Sequence, residues 1–306
     1  MKIGQAVHFE TRGGSVESCG SEKLKKNDGI VTKYMRSAVE AKYEQVYLKR
    51  KEQARRNKRY ELILGLLGGM SFLLIWFTLS HTVMNLLPDP FVTLKVSFER
   101  IMDAWFYKSI FYSLYRVLLG FLIASSVAIP LGLFMGWNRV CSDIFMPGFE
   151  LFRPVPPVAW VPLSIIIFAQ LEYSILFITF TGAFFVVTLN ARLGVESIDE
   201  SLFRAAWCLG ASPRQIFWHV VLPGSLPAIF TGLALGIGIS WETVVAAEMI
   251  AGQYGLGYLT WESYNLIRYP EVILSMTSIG ILGYICSAII RAAADKYLAW
   301  RKVYSA

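Results

Sequence analysis

Six runs of about 20 mainly apolar residues constrain this chain more than anything else in it, because a helix needs roughly that length to cross a bilayer. They lie at 61–80 (ELILGLLGGMSFLLIWFTLS) and at about 110–136, 146–169, 173–190, 224–250 and 272–290, each with at most two charged residues. Water is absent at that depth, so each run must satisfy its own backbone N–H and C=O groups, which a helix does. Composition agrees: 55% of the 306 residues are hydrophobic and 17% are charged, too apolar a balance for a soluble domain. The expected fold is all-α and integral to the membrane, with six transmembrane helices and both chain ends on one side.

Charge orients it. Of 29 Lys and Arg, 15 precede residue 60. Arg192, Arg204 and Arg214 of the segment 191–222, and Arg291, Lys296, Arg301 and Lys302 of the tail, fall on the same side as that basic head. Lys95, Arg100, Lys108 and Arg268 fall on the other. The positive-inside rule then puts both termini and segment 191–222 in the cytoplasm. The chain divides into a basic extension (1–60), a membrane domain (61–295) and a short tail (296–306). Residues 1–28, rich in Gly, Ser and charge, read as disordered. Val31, Met35, Val39, Tyr43 and Val46 recur at helical spacing and read as an amphipathic helix on the membrane surface, with a solvated tail as the alternative. The head carries no aromatic RNA-binding signature and no zinc-ligand spacing, so anionic lipid rather than nucleic acid is its expected partner. No cleavable signal opens the chain, so the first run is expected to be retained. Asp89 as cap and Pro90 in a first turn predict a short interfacial helix after it.

Cys19, Cys141, Cys208 and Cys286 are isolated, without CxxC pairs or a nearby His, so neither a metal site nor a disulfide framework is expected. His8, His81 and His219 are far apart in sequence and join no nucleophile–base motif, which excludes a membrane enzyme of that kind.

One segment obeys different rules: ESIDESLFRAAWCLGASPRQIFWHVVLP, 196–223. Ser197 with Glu200 reads as a capping box, starting a helix near Ile198. Gly210 ends that helix in the left-handed conformation. Ser212 caps a second helix, with Pro213 in its first turn and Gln215 completing another box. Leu222–Pro223 closes the unit. Leu202, Ala205, Ala206 and Leu209 share one face of the first helix; Ile216, Phe217, Val220 and Val221 belong to the second. Trp207, Phe217 and Trp218 admit two readings: anchors for a partner's groove, or packing against the chain's own helix ends.

RAAWCLGASPRQIFWHVVLP resembles the EAA coupling motif of ATP-binding-cassette (ABC) importer permeases: EAA, three residues, Gly, nine residues, I-x-L-P. Ala205, Ala206, Gly210, Leu222 and Pro223 match at that spacing, while Arg204 replaces the Glu and Val220 the Ile. FELFRPVPPVAWVPL (149–163), VVAAEMIAG (244–252) and GLGYL (255–259) resemble the nitrate, sulfonate/taurine and bicarbonate branch. The resemblance covers about residues 61–295. It implies a type I, MetI-like importer fold, preceded here by the basic amphipathic head, in a bacterial inner membrane. It also implies a second permease copy, two cytoplasmic ATP-binding subunits and an extracytoplasmic solute-binding protein. Arg204, Ala205, Ala206, Trp207, Gly210, Ser212, Pro213, Phe217, Leu222 and Pro223 would form the ATPase-coupling surface. The chain contains no GxxxxGK[ST] loop, so ATP and Mg would sit on the partner subunits and no cofactor on this one. An ATP-independent channel or secondary transporter is the competing reading.

Within the spans, Gly232, Gly236 and Ser240 lie four apart and predict close packing against another core helix, of this chain or a second copy. Gly132 and Gly136 share that spacing, which arises readily by chance in Gly-rich spans. Pro154, Pro156, Pro157 and Pro162 crowd the entry to the third run and predict irregular backbone near the cytoplasmic mouth. A charge near the bilayer centre costs at least about 2.5–3.5 kcal/mol, which makes Arg116, Arg153, Glu242 and Glu248 candidates for the translocation path, with Trp241 beside them. Pairing of Arg116 with a span-five Glu, and of Glu150 with Arg153, is the structural alternative.

Overall fold

A computed structural model of the chain describes residues 63–82 other than residue 72, and 88–298, with Arg56 and Tyr60 before them. The expected surface helix through Val31, Met35, Val39, Tyr43 and Val46, the first 28 residues, Cys19 and the tail beyond residue 298 lie outside the described residues. The chain forms two compact units, Met1–Ile75 and Trp76–Ala306. The described part of the first is Arg56, Tyr60 and the start of helix α1 (Ile63–Thr82).

In the second unit Asp89 accepts the Phe91 N–H and Pro90 occupies the first turn of α2 (Pro90–Ile101), as the sequence predicts. Asp103 caps α3 (Ala104–Trp137), whose 34 residues span about 50 Å at 1.5 Å per residue. Then follow α4 (Arg139–Phe152), a 3₁₀ turn (Pro157–Trp160), α5 (Val161–Ile167), α6 (Leu171–Glu196), α7 (Glu200–Cys208), α8 (Pro213–Ile216), α9 (Leu222–Ala251), α10 (Leu256–Asn265) and α11 (Tyr269–Tyr297). No strand occurs among the described residues.

Among the described residues, five helices are long and apolar enough to cross a membrane. The expected third span is not one rod. It starts earlier, at Arg139, and α4 meets the Pro157–Ile167 segment at 86°. Pro154, Pro156, Pro157 and Pro162 lack the N–H that would carry the helix through, so the backbone turns there. The break also lies deeper than expected. Phe149 stacks near Phe184 and Phe185 (centroids 5.5 and 5.2 Å), and Val161 packs with Ile175 and Ile178. Residues 153–156 are therefore level with the middle of α6, not with a helix mouth.

Helix α6 is the centre of the bundle, parallel to α3 on one side and antiparallel to α9 on the other. The two seams are close because glycine lines both. A Cβ on Gly120 would meet Thr179 Cβ at 2.6 Å, and one on Gly136 would meet Val195 Cβ at 2.6 Å. Gly132 is pressed against Thr188 and Ala191 in the same way, so Gly132 and Gly136 form a packing seam and not a chance spacing. On the other side Gly182 faces Thr243, Gly194 faces Ala228, Gly232 faces Asn190 and Gly236 faces Val187. The Gly232–Gly236–Ser240 stripe thus packs on α6 of the same chain; Ser240 is buried and its Oγ donates to the Gly236 carbonyl at 2.9 Å. Without a hydrophobic drive between helices in lipid, such backbone approach is a main source of packing. Gly236→Leu is accordingly expected to lower the thermal midpoint of the detergent-purified protein by separating α6 from α9. Gly280→Ala, where nothing lies within 4 Å, should leave it unchanged. Equal midpoints for both variants would remove the seam from the account.

Candidate functional site

Two constellations sit at opposite ends of the bundle. At one end the segment between α6 and α9 folds as a helix–turn–helix. Its first cap differs from expectation: Asp199, not Ser197, caps α7 by accepting the Ser201 N–H at 2.8 Å. That bond holds the Asp199 carboxyl below its usual range. Ser197 instead ends α6, its Oγ donating to the Gly194 carbonyl. The second cap is as predicted, with Ser212 N–H donating to Gln215 Oε1 at 2.8 Å and Ser212 Oγ accepting the Gln215 N–H. Gly210 has φ +76°, and its N–H donates to the Trp207 carbonyl.

Leu222–Pro223 begins α9, with the proline in its first turn, but leaves no gap before it. Pro223 offers no N–H to the carbonyl one turn back, so the chain widens into a π turn over Phe217–Val221, the Leu222 N–H reaching back to the Phe217 carbonyl. Helical structure therefore runs without a gap from Pro213 to Ala251, 39 residues. A force applied to α8 reaches α9 along one rod.

The aromatic residues divide between the two readings. Phe217 turns inward, stacking on Phe134 at 5.7 Å and meeting Trp137 edge-on at 6.1 Å. Trp207 and Trp218 turn outward, 53% and 55% exposed, in company with Leu202 and Leu209. The inward face of α7 is Phe203 and Ala206, not Leu202 and Leu209, because Phe203 packs on Trp137. Arg204 pairs with Glu200 at 3.0 Å on the exposed surface. Ala205 and Pro213 are exposed; Leu222 and Pro223 are half-buried at the start of α9.

At the other end lies a buried ionic clamp. Arg116 on α3 donates from Nη1 to Glu248 Oε1 at 2.8 Å and to the Tyr254 carbonyl at 2.6 Å, and from Nε to Glu172 Oε2 at 2.9 Å. Ser113 Oγ and the Gly257 N–H also donate to the Glu248 carboxylate, at 2.8 and 3.0 Å, while Ser113 Oγ accepts the Leu256 N–H. The loop wraps so tightly that only glycine fits at 255: its φ is +127°, and a Cβ would strike the carboxylate. Arg116 and Glu248 are 1% and 0% exposed. Every polar atom of Glu248 is engaged, and α3, α6, α9 and α10 are tied together.

Glu172, Ser113 and Gly255 were not singled out from the sequence. The available signal was Glu172 itself, an acid within one turn of the start of an otherwise uncharged span. Trp241 is buried in the core beside Gly283, and its Nε1 has no hydrogen-bond partner among the described residues. The expected Glu150–Arg153 pair is not formed; the helix ends between them, and both side chains are exposed. Glu242 is exposed on α9 and likewise forms no ion pair among the described residues. No cluster of three metal-ligating side chains occurs among the described residues.

Residues 128–302 match the family described as binding-protein-dependent transport system inner membrane component. The chain belongs to that family. This ABC permease is 47% identical over 192 residues to a putative ABC transporter permease protein of Methanocaldococcus jannaschii, covering 62% of this chain and 72% of that one. It is 36% identical over 202 residues to the taurine transport system permease protein TauC of Escherichia coli, covering 66% and 74%. With the nitrate import permease protein NrtB of Synechocystis the identity is 32% over 227 residues, covering 71% and 82%. Its fold is that of a chain in an inward-facing structure of the MetNI methionine ABC transporter, with a TM-score of 0.54 at 16% identity, covering 64% of this permease and 99% of that chain. The permease is a multi-pass membrane protein and a transport component.

Proposed function

We propose that two copies of this permease form the membrane path of an importer for a small anion of the nitrate, sulfonate or bicarbonate class. Two separate ATPase subunits, which hold ATP and Mg, drive it through the α7–α8 unit. The unit and both chain ends face the cytoplasm, a reading supported by the Lys and Arg distribution. A solute-binding protein delivers cargo on the other side. The observation that carries this reading is the pair of outward tryptophans, Trp207 and Trp218, on a capped projection continuous with α9. Exposed aromatic anchors on a rigid base are what a partner's groove binds. A groove that moves inward would push α9, and with it the glycine seam on α6. The cargo class is supported by the relatives, whose names specify taurine and nitrate transport.

Arg116 and Glu248 belong to the clamp in this reading, since their charges are spent on each other and on Glu172. Arg153 and Glu242 remain as the membrane-depth charges turned away from the core. The test is uptake of labelled nitrate, taurine and bicarbonate by cells with and without this permease. Loss of uptake of one of them on deletion, dependent on ATP in inverted vesicles, is the expected result. Uptake that survives removal of ATP would favour a channel.

A further inference from the structure

Arg153 and Glu242 have the same problem. Each is exposed and forms no ion pair within the described residues, although each lies along the membrane-spanning length. Glu150, three residues before Arg153, does not pair with it either. Such charges face protein or water, not hydrocarbon.

They also share a depth. Thr243 packs on Gly182 of α6, a Cβ there coming within 2.7 Å of Thr243 Cγ2, which sets Glu242 level with the middle of α6. Phe149 is level with Phe184 and Phe185. Arg153 lies four residues further along a helix antiparallel to α6, about 6 Å on, and so close to the level of Gly182. The two surfaces adjoin, because the 3₁₀ turn and α5 both touch α9.

Around Glu242 the outward face of α9 consists of Thr231, Leu235 and Gly238, spaced 4, 3 and 4 residues apart up to Glu242. Nothing lies within 4 Å of a Cβ placed on Gly238. This face is opposite the Gly232–Gly236–Ser240 seam, and it offers a glycine where another backbone can approach. Beside it, the residues of the helix break, 153–156, are all exposed. Irregular backbone at membrane depth persists where protein or a water-lined path covers it.

We propose that a second copy of the permease covers this face, and that Arg153 of each copy pairs with Glu242 of the other. The inference rests on the two-copy reading above and deepens it by assigning the contact. The surface is self-complementary: it carries one cation and one anion at one level, so a two-fold axis brings each against its opposite and makes two pairs at once. A lone acid on the path of an anion importer would repel the cargo, and the exchange removes that charge.

The test uses the full permease with its ATPase, in a background with Cys19, Cys141, Cys208 and Cys286 replaced by serine. Two differently tagged copies are co-expressed, one Arg153→Cys and one Glu242→Cys, and membranes are treated with a short thiol cross-linker. A product carrying both tags is expected. Glu242→Arg or Arg153→Glu alone should lower uptake at least tenfold, and the double exchange should restore it to within about twofold, whereas Glu150→Gln should have no effect. A complex of two-copy mass without the mixed product would place the contact on another face and overturn the inference. A single-copy mass would overturn the two-copy reading beneath it. Single variants that lose uptake, assemble normally and are not rescued by the exchange would give Arg153 to the cargo instead.

Discussion

A Glu248→Ala permease is expected to lose much of its stability. The substitution leaves Arg116 buried opposite only Glu172, and it strips the acceptor from Ser113 Oγ and the Gly257 N–H. Breaking a buried ion pair by removing one partner costs about 3–5 kcal/mol, because the charge that remains is uncompensated. A marginally stable protein shows that as a large fall in thermal midpoint. Glu248→Gln keeps an acceptor for Ser113 and Gly257 but not the charge, so its midpoint should fall between those of wild type and the alanine variant. The Arg116→Met, Glu248→Gln double variant should recover part of the loss, since no buried charge is left unpaired. Thermal unfolding of the detergent-solubilised permease, followed by a thiol-reactive dye, makes the comparison. An alanine variant with an unchanged midpoint but no uptake would return Arg116 and Glu248 to the translocation path.

The second large effect concerns Trp207 and Trp218. Alanine at either should weaken binding of the partner ATPase by at least about 30-fold, equivalent to about 2 kcal/mol, the threshold for an anchor residue at an interface. The midpoint of the permease alone should hardly move, because both indoles are more than half exposed and pack on little of their own chain. Phe217→Ala should do the reverse. Its ring lies between Phe134 and Trp137 at the end of α3, so its loss opens a cavity where the coupling unit meets the bundle. Titration of the purified ATPase against each variant gives the affinities. Undiminished binding by the Trp207→Ala, Trp218→Ala double variant would dissociate this surface from ATPase docking.

These contrasts show where reading the chain alone succeeds. The five unbroken spans, the Asp89–Pro90 start of α2, the Gly210 turn and the Ser212–Gln215 cap follow from local rules: the length of an apolar run, the φ a glycine allows, an amide within reach three residues on. Asp199 displaced Ser197 as the first cap because α6 continues through Glu196 and takes Ser197 as its own last turn. Two adjacent helices competed for one serine, and local grammar does not rank them. The proline cluster announced a break, but its depth depended on Phe149 and Val161 finding places along α6. Which side of α7 is buried was not legible for the same kind of reason, since Trp137 at the end of α3 claims Phe203.

The amino-acid order by itself determined that this is a bundle of membrane helices with a capped helix–turn–helix between its fourth and fifth spans, because desolvation and backbone hydrogen bonding act on consecutive residues. Only the tertiary structure decided which charges are spent and which stand free. Glu172 and Glu248 lie 56 and 132 residues from Arg116 in the chain, and meet it because the α3–α6 and α6–α9 glycine seams set the helices close enough. Arg153 and Glu242 are no less charged. They form no ion pair among the described residues because the break after α4 and the outward face of α9 hold them away from the core.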